Sequence, residues 1–560
     1  MKFAALATLF ETLEHTSSYN AMRASLKEFF SRTPKEEIKQ ITYLTLGQIA
    51  ASFADVNLGM AEKMVLRSIT HASNTPLGKI IQLYKKTGDV GKTAEVIGKK
   101  TGTLSVKTVF NTLHSIVQTT GAGSQDKKTK LLCELLSQAT KIEARYLARL
   151  VLGQLRLGVG DKTILDALAL AYLGTKDRSA LEHAYMIHPD IGVIAQTLLS
   201  KGILGIKKIT VKPGVPIQMM LCQRIENLSE IRERTGFPCA IEQKYDGERI
   251  QAHKIGQTVL LYSRRLENIT HQFPEIVAAI KKINARNCII EGEAVAIDKK
   301  GKMLPFQLMM QRRRKHGIAA YATHIPVSLR TFDLLYLNGK TMLLEDYPKR
   351  YKDLLRIMRP TINIELARRI ICTDVNCIDE FFQHIVVEGG EGIVIKSLAH
   401  GSAYQAGNRG WNWIKWKPDY VKGMRDTFDL AIVGAYFGKG RRAGTYGALL
   451  CATYDESADT FLTFCKLGSG FTDQDLARFP KILPKIAHKN PRLEITKIMT
   501  PDVWIEPKIV VEVTGAEITK SPQHTCGYAL RFPRFLRIRE KKPEQATTIK
   551  EIKKMVRTKR

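Results

Sequence analysis

In the first third of the chain the apolar positions recur at helical spacing. Ile38, Ile41 and Leu44 follow Thr33-Pro34-Lys35-Glu36, which joins a capping box to a proline at the first helical position. Tyr146, Leu147, Leu150 and Val151 form a second stripe behind Thr140-Lys141-Ile142-Glu143, a start signal of the same kind. These features predict an all-α N-terminal domain. Over 211–216 the pattern changes, because Pro213, Gly214 and Pro216 break any helix before alternating, β-branched segments begin. From 240 to 416 short strands, among them 289–297, 327–336 and 392–396, alternate with helices, which predicts a mixed α+β domain. After Pro418, strands at 428–436, 446–454, 461–467 and 504–513 are separated by glycine-rich turns and suit a small β-barrel, and 544–560 reads as a basic helix. The expected multidomain division is 1–210, 211–418 and 419–560.

A chain of 560 residues accommodates several such cores. With 44% hydrophobic and 25% charged residues its composition is that of a folded globular protein. Lysine and arginine number 86 against 54 aspartates and glutamates, a formal net charge of +32, and this excess favours a polyanionic partner through phosphate neutralisation and counterion release. No stretch reaches the ~20 apolar residues of a membrane span. Residues 1–10 run into Glu11 and Glu14 without a basic leader, so an intracellular, cytoplasmic protein without membrane contact is expected. Nine cysteines are scattered along the chain, and Cys372 with Cys377 is the single close pair, lacking a second pair or nearby histidines to complete a zinc site. Reduced, mostly buried thiols are expected.

Chemistry concentrates in the middle domain. Lys244-Tyr245-Asp246-Gly247-Glu248-Arg249 follows a short apolar run, so Lys244 falls at a strand end, where neighbouring cations or burial turn a lysine into a nucleophile. Gly247 permits a tight turn, and Arg249 offers a phosphate fork; K-x-D-G by itself is a weak signal. In Glu291-Gly292-Glu293 the two-residue period puts both carboxylates on one strand face, suited to a divalent cation or a ribose, though solvated surface acids fit the motif alone equally well. Glu391 stands at the mouth of a buried apolar strand ending in Lys396. Lys415 and Lys417 project to one side of their strand, where paired ammonium groups suit triphosphate oxygens unless the strand is a lysine-protected edge. Neither G-x-x-x-x-G-K-[ST] nor G-x-G-x-x-G occurs, which argues against the two commonest nucleotide folds.

Taken in order, these segments, with Ser263-Arg264, Phe332-Asp333-Leu334-Leu335-Tyr336 and Arg531-Phe532-Pro533-Arg534-Phe535, closely resemble the nucleotidyltransferase superfamily of ATP-dependent DNA ligases over nearly the whole chain. The resemblance implies a helical DNA-binding domain, an α+β adenylation domain and an OB-fold barrel, sealing nicked duplex DNA in replication, repair and recombination. It further implies ATP as substrate and Mg2+ as cofactor. Lys244 would be the nucleophile on the α-phosphate, Glu242 and Phe332 would recognise and stack on adenine, and Arg249 and Arg264 would contact ribose or phosphates. Glu293 and Glu391 would bind ribose and magnesium, and Lys415 and Lys417 the phosphates.

The helical region also resembles the DNA-binding domain of archaeal and eukaryotic replicative ligases, at Gly121-Ala122-Gly123-Ser124-Gln125-Asp126-Lys127-Lys128 and at Arg156-Leu157-Gly158-Val159-Gly160-Asp161. Ser124, Lys127, Lys128 and Arg156, with Arg531, Arg534 and Lys541 of the barrel, are accordingly expected to meet DNA. Two features depart from the family pattern. The glutamine-led aromatic segment that docks many archaeal relatives on a sliding clamp is absent from 100–112, and Ser25-Leu26-Lys27-Glu28-Phe29-Phe30 reads better as core than as its substitute. Lys541 stands where many relatives carry an acid. A monomer is expected. An mRNA-capping guanylyltransferase or an RNA ligase, the nearest rivals, would not carry the helical domain, and NAD use is disfavoured by the lack of a zinc-binding cysteine set.

Overall fold

In the computed structural model the residues described are 1–175, 177–225, 227–298, 301–310, 325–388, 390–417, 427–438, 445–515 and 517–557. Thr140 opens the helix Lys141–Val151 as its sequence predicts: its hydroxyl accepts from the Glu143 amide at 3.3 Å, and the Glu143 carboxylate accepts from the Thr140 amide at 2.7 Å. The apolar stripe of this helix packs on Phe3, Leu6, Phe10 and Leu13 of the helix Phe3–Glu14. The first start signal is not used. The Thr33 hydroxyl donates at 2.9 Å to the Phe29 carbonyl, finishing the preceding helix Tyr19–Ser31, and the next helix, Ile38–Thr45, begins without a side-chain cap. Glu37 is pulled instead to the N-terminal ammonium at 2.6 Å. Leu26 and Phe30 are fully buried in the helical core.

Helices continue to Ile191–Lys207. Met186 and Ile187 then pack with Val211, Ile217 and Met220 of the connecting segment and with Ile289, Leu335 and Trp413 of the central region. The helical and central regions thereby share one compact unit, Met1–Trp416, and the second unit is Lys417–Arg560.

Along the central region run β1 (Leu221–Arg224), β2 (Cys239–Gln243), β3 (Glu248–Ile255), β4 (Thr258–Ser263), β5 (Asn287–Ala296), β6 (Val327–Leu337), β7 (Lys340–Thr341), β8 (Ile364–Leu366), β9 (Arg369–Cys372), β10 (Ile393–Ser397) and β11 (Arg409–Trp416). They form two sheets. One has the order β1-β11-β10-β2-β9; the other has the order β4-β3-β5-β6-β7, with β8 also on β6. The segment from Lys244 to Gly247 therefore carries the chain from one sheet to the other. Asp333 of β6 and Arg350 of the helix Tyr347–Ile357 are both fully buried and paired twice, at 2.8 and 3.0 Å.

The second unit is strand-rich: β12 (Phe428–Phe437), β13 (Tyr446–Asp455), β14 (Thr460–Leu467), β15 (Lys485–Ile486), β16 (Leu493–Glu494), β17 (Val503–Ile505), β18 (Val510–Thr514), β19 (Glu517–Lys520), β20 (Tyr528–Arg531) and β21 (Arg534–Arg539). Eight of these join one sheet, and β19 pairs with β20 apart from it. The single strand expected over 504–513 is two, β17 and β18, because Pro507 lies between them and cannot donate to a ladder. The basic helix begins later than expected, at Ile549, and Ile549 and Ile552 are buried in the core of the unit. The expectation of reduced thiols fails at one place: Cys372 and Cys377 are joined by a disulfide, because the turn from β9 into the helix Val375–Val387 brings their Cα atoms to 5.5 Å. Among the described residues no helix is long and apolar enough to cross a membrane.

His253 of β3 ties the connecting segment to the sheet. Its Nδ1 accepts from the Gly214 amide at 3.0 Å, so the neutral ring carries its proton on Nε2, 2.9 Å from the Gln251 side-chain oxygen. Burial pushes the imidazole down to about 3. A depressed histidine contributes stability that is complete above the ordinary value near 6.5 and is lost as pH falls toward 3, at up to about 1.4 kcal/mol per pH unit. His253→Gln is expected to flatten the fall in denaturant stability between pH 7 and pH 4. Equal pH slopes in variant and parent would contradict this.

Candidate active site

Alternation along β2, β10 and β11 lays the floor of the site. Glu242 lies opposite Val394, Val394 opposite Lys415, and Lys396 opposite Trp413, so Glu242, Lys396, Trp413 and Lys415 share one face of the sheet. Lys396 is 1% exposed and Glu242 3% exposed, and they are paired at 2.8 Å. The Lys396 ammonium also donates at 3.1 Å to the Phe332 carbonyl and lies 4.4, 4.7 and 4.7 Å from the rings of Trp413, Phe332 and Tyr347. The Tyr347 hydroxyl donates to the other oxygen of Glu242. Lys396 and Tyr347 are not among the residues the sequence pattern assigns to the site. A lysine closing the apolar run 393–395 was a usable signal for the first; Tyr347, 105 residues from Glu242, had none.

The six-stranded sheet supplies the facing groups. Arg249 lies opposite Glu293, and Gln251 opposite Glu291, on β3 and β5. Glu291 is fully buried and accepts from Arg249 at 2.8 Å, Gln251 at 3.1 Å and the Tyr404 hydroxyl at 2.9 Å. Its carboxylate is thus occupied by the protein, while Glu293 stays partly exposed. Arg249 also donates at 2.7 Å to the Met220 carbonyl, and its guanidinium lies 5.5 Å from the Phe332 ring. Phe332 is the extra residue of a β-bulge: Asp333 pairs with Glu291 and Thr331 with Gly292, leaving Phe332 unopposed and re-aimed toward Arg249, Lys396 and Trp413.

Lys244 stands where the chain leaves β2 for the second sheet. Its amide donates at 2.9 Å to the Gly392 carbonyl, and its ammonium donates to the Glu391 carboxylate. A Cβ on Gly247 would lie 2.2 Å from the Ala294 carbonyl oxygen and 2.9 Å from Glu293 Cγ, so only glycine lets this turn approach β5. Burial pushes the Glu293 carboxyl up to about 8; Lys244 and Arg249 oppose the shift, and Glu391 and Glu248 reinforce it. Lys244, Arg249 and Glu391 therefore all act on Glu293.

The remaining expected residues are dispersed. Arg264 is exposed in the turn after β4, where with Arg265 and Gln218 it lines a cavity of about 210 Å3 against Asp161 and Tyr185 of the helical region. Lys417 follows the last residue of β11 as the first residue of the second unit. Ser124 begins the helix Ser124–Gln138 behind Gly121 and Gly123, both at positive φ, and Lys127 is exposed on its first turn. Lys128 turns inward, 9% exposed, with its ammonium 2.8 Å from the Leu58 carbonyl. Arg156 is exposed at φ 56°. Arg531 is partly buried on β20, and Arg534 is exposed on β21. Lys541 pairs with Asp429 at 2.6 Å.

Residues 2–169 match the DNA ligase N terminus, 219–417 the ATP dependent DNA ligase domain and 442–542 the ATP dependent DNA ligase C terminal region. The chain is 44% identical over 588 aligned residues to DNA ligase 2 of Thermofilum pendens, covering 100% of this chain and 98% of that one. It is 42% identical to the probable DNA ligase of Aquifex aeolicus, covering 100% and 99%. The solved structure of Pmar-Lig_Pre shares the fold, with a TM-score of 0.56 and 19% identity over 96% of this chain and 99% of that one. The chain belongs to the ATP-dependent DNA ligases, enzymes that seal nicks in DNA through a lysyl-AMP intermediate.

Gly247→Ala should force the turn bearing Lys244 away from β5. A displacement near 1 Å at a reacting group can slow a reaction about 100-fold. Nick sealing by the folded variant is expected to fall on that scale, and parental sealing rates would show that the close approach is not required.

Proposed function

We propose that Lys244 is the residue that carries AMP in this ligase. The observation supporting it is the station of Lys244 at the crossing between the sheets, bonded to Glu391 and acting on Glu293. Attack requires an unprotonated amine, and Glu391 is the acceptor in contact with the ammonium that must lose its proton. The Lys244 nitrogen then bonds to the α-phosphorus of ATP as the bond to pyrophosphate breaks. An oxygen of the nick 5′-phosphate next displaces the lysine from that phosphorus, and the 3′-hydroxyl finally attacks the 5′-phosphate, closing the phosphodiester and releasing AMP. Positioning and neutralisation of phosphate charge supply most of the acceleration.

Each remaining group has a place in this reading. Phe332 offers its ring to adenine and Glu242 an acceptor, while Arg249, Arg264, Lys415 and Lys417 meet ribose or phosphate oxygens. Glu293 and Glu391 are hard oxygen donors close enough for one to raise the other, a pairing that fits Mg2+ completed by substrate phosphates and water. Bound there, the ion would neutralise phosphate charge. The helical region 1–210 is assigned to DNA capture, 211–418 to adenylation and 419–560 to an OB-fold. Ser124, Lys127, Arg156, Arg531 and Arg534 are assigned to the DNA backbone, and the protein is assigned as an intracellular monomer for which a sliding clamp stays a candidate partner although the usual docking segment is absent from 100–112.

Incubation with α-labelled ATP and Mg2+ should leave label on the denatured chain. Lys244→Ala should abolish that label while retaining binding to nicked duplex, since the basic surface is untouched. Labelling of the variant at the parental level would remove Lys244 from this role.

A further inference from the structure

We propose that Tyr347 is a positioning residue for base selection: by donating its hydroxyl to Glu242 it holds that carboxylate as an acceptor for the 6-amino group of ATP. This rests on the reading of Glu242 as the group that meets the base.

The phenol oxygen is placed by the scaffold. Tyr347 begins the helix Tyr347–Ile357, is 1% exposed, and its amide donates at 3.1 Å to the Ser402 hydroxyl. One turn along, Arg350 is locked to Asp333 and sits 5.5 Å from the Tyr347 ring, while Arg369 sits 5.6 Å from it. Arg369 lies directly opposite Glu242 across β2 and β9. Two guanidinium groups thus hold the ring, one of them immobilised by a buried ion pair.

The carboxylate is gripped at both ends. Tyr347 donates to one oxygen and Lys396 to the other, and the same Lys396 ammonium bonds the carbonyl of Phe332. A carboxylate fixed by two donors offers only acceptor lone pairs, so it favours a purine presenting an N–H donor at C6 over one with hydrogen there. Burial and the charge of Glu242 hold the phenol well above its ordinary range, so it remains a donor. Loss of the hydroxyl leaves one oxygen of a 3% exposed carboxylate without its donor and free to turn from the base. A purely packing role for Tyr347 would affect every purine nucleotide alike.

Self-adenylylation of the full chain, followed against nucleotide concentration, separates these roles. ATP is compared with purine riboside 5′-triphosphate, which lacks the 6-amino group, in the parent, Tyr347→Phe and Glu242→Gln. The parent should half-saturate at a lower concentration of ATP than of the analogue. Tyr347→Phe should raise the half-saturating ATP concentration by about tenfold, the scale of one hydrogen bond to a charged group, and leave the analogue and the maximal rates nearly unchanged. Because the ratio is taken within one protein, a reduced folded fraction cancels. If Glu242→Gln narrows the discrimination but Tyr347→Phe shifts both nucleotides equally or neither, the role of Tyr347 is overturned while that of Glu242 stands. If the parent does not discriminate, or Glu242→Gln leaves its discrimination intact, both assignments fall together.

Discussion

A charge withdrawn from water needs its opposite within hydrogen-bonding reach, and breaking such a pair from one side commonly costs about 3–5 kcal/mol. Three pairs among the described residues of the central region meet this constraint. Glu242 with Lys396 joins β2 to β10, Glu291 with Arg249 joins β5 to β3, and Asp333 with Arg350 joins β6 to the helix Tyr347–Ile357. From that helix Tyr347 returns to Glu242, so the pair on one sheet is tied to the pair anchored in the other. Lys396 closes the circuit by bonding the bulged Phe332 carbonyl of β6. Hydrophobic burial supplies the bulk of the stability, but these charges fix which faces of the two sheets look at each other.

What could be read beforehand follows from how local the cause is. The Thr140 cap and the strands β5, β6 and β10 depend on a few consecutive residues, and the chain pattern placed them with ends displaced by a residue or two. Thr33 carried the same signal, yet its hydroxyl was taken by the helix before it, a competition the motif does not record. Alternation correctly put Glu291 and Glu293 on one face, but it could not tell that Arg249, Gln251 and Tyr404 would consume the first and leave the second. The re-aiming of Phe332 depends on β5 being one residue short against β6, and the Cys372–Cys377 bond depends on a strand-to-helix turn; both are properties of the assembled backbone.

Net charge is likewise a poor map of a binding surface. The excess of +32 is a sum, and individual cations within it already have protein partners. Lys128 spends its ammonium on the Leu58 carbonyl, and Lys541 is drawn to Asp429, which Arg539 also approaches at 3.4 Å. An acid at position 541 would stand beside Asp429, whereas Lys541 balances that local charge. Lys127, Arg156 and Arg534 are exposed, and phosphate contacts by such groups add to affinity without reading sequence, as a nick-sealing enzyme requires.

The two ends of the site differ in how far their paired charges are open to solvent. Where the base is proposed to bind, Glu242 has a donor on each oxygen and is nearly sealed from solvent, a rigid template that rejects by geometry. Where the phosphates are proposed to bind, Lys244 and Glu391 keep 24% and 23% exposure, and Glu293 is held near 8 by burial, with a second carboxylate beside it. A partly exposed ion pair beside a carboxyl raised by burial and a like neighbour is the kind of setting that a site proposed to take a cation and phosphates would supply. Arg249, Gln251 and Tyr404 hold Glu291, whereas Glu293 is the acid proposed to meet the cation. The period-two repeat that makes these two glutamates look equivalent in sequence thus sets a carboxylate held by protein donors two residues from the one proposed to act.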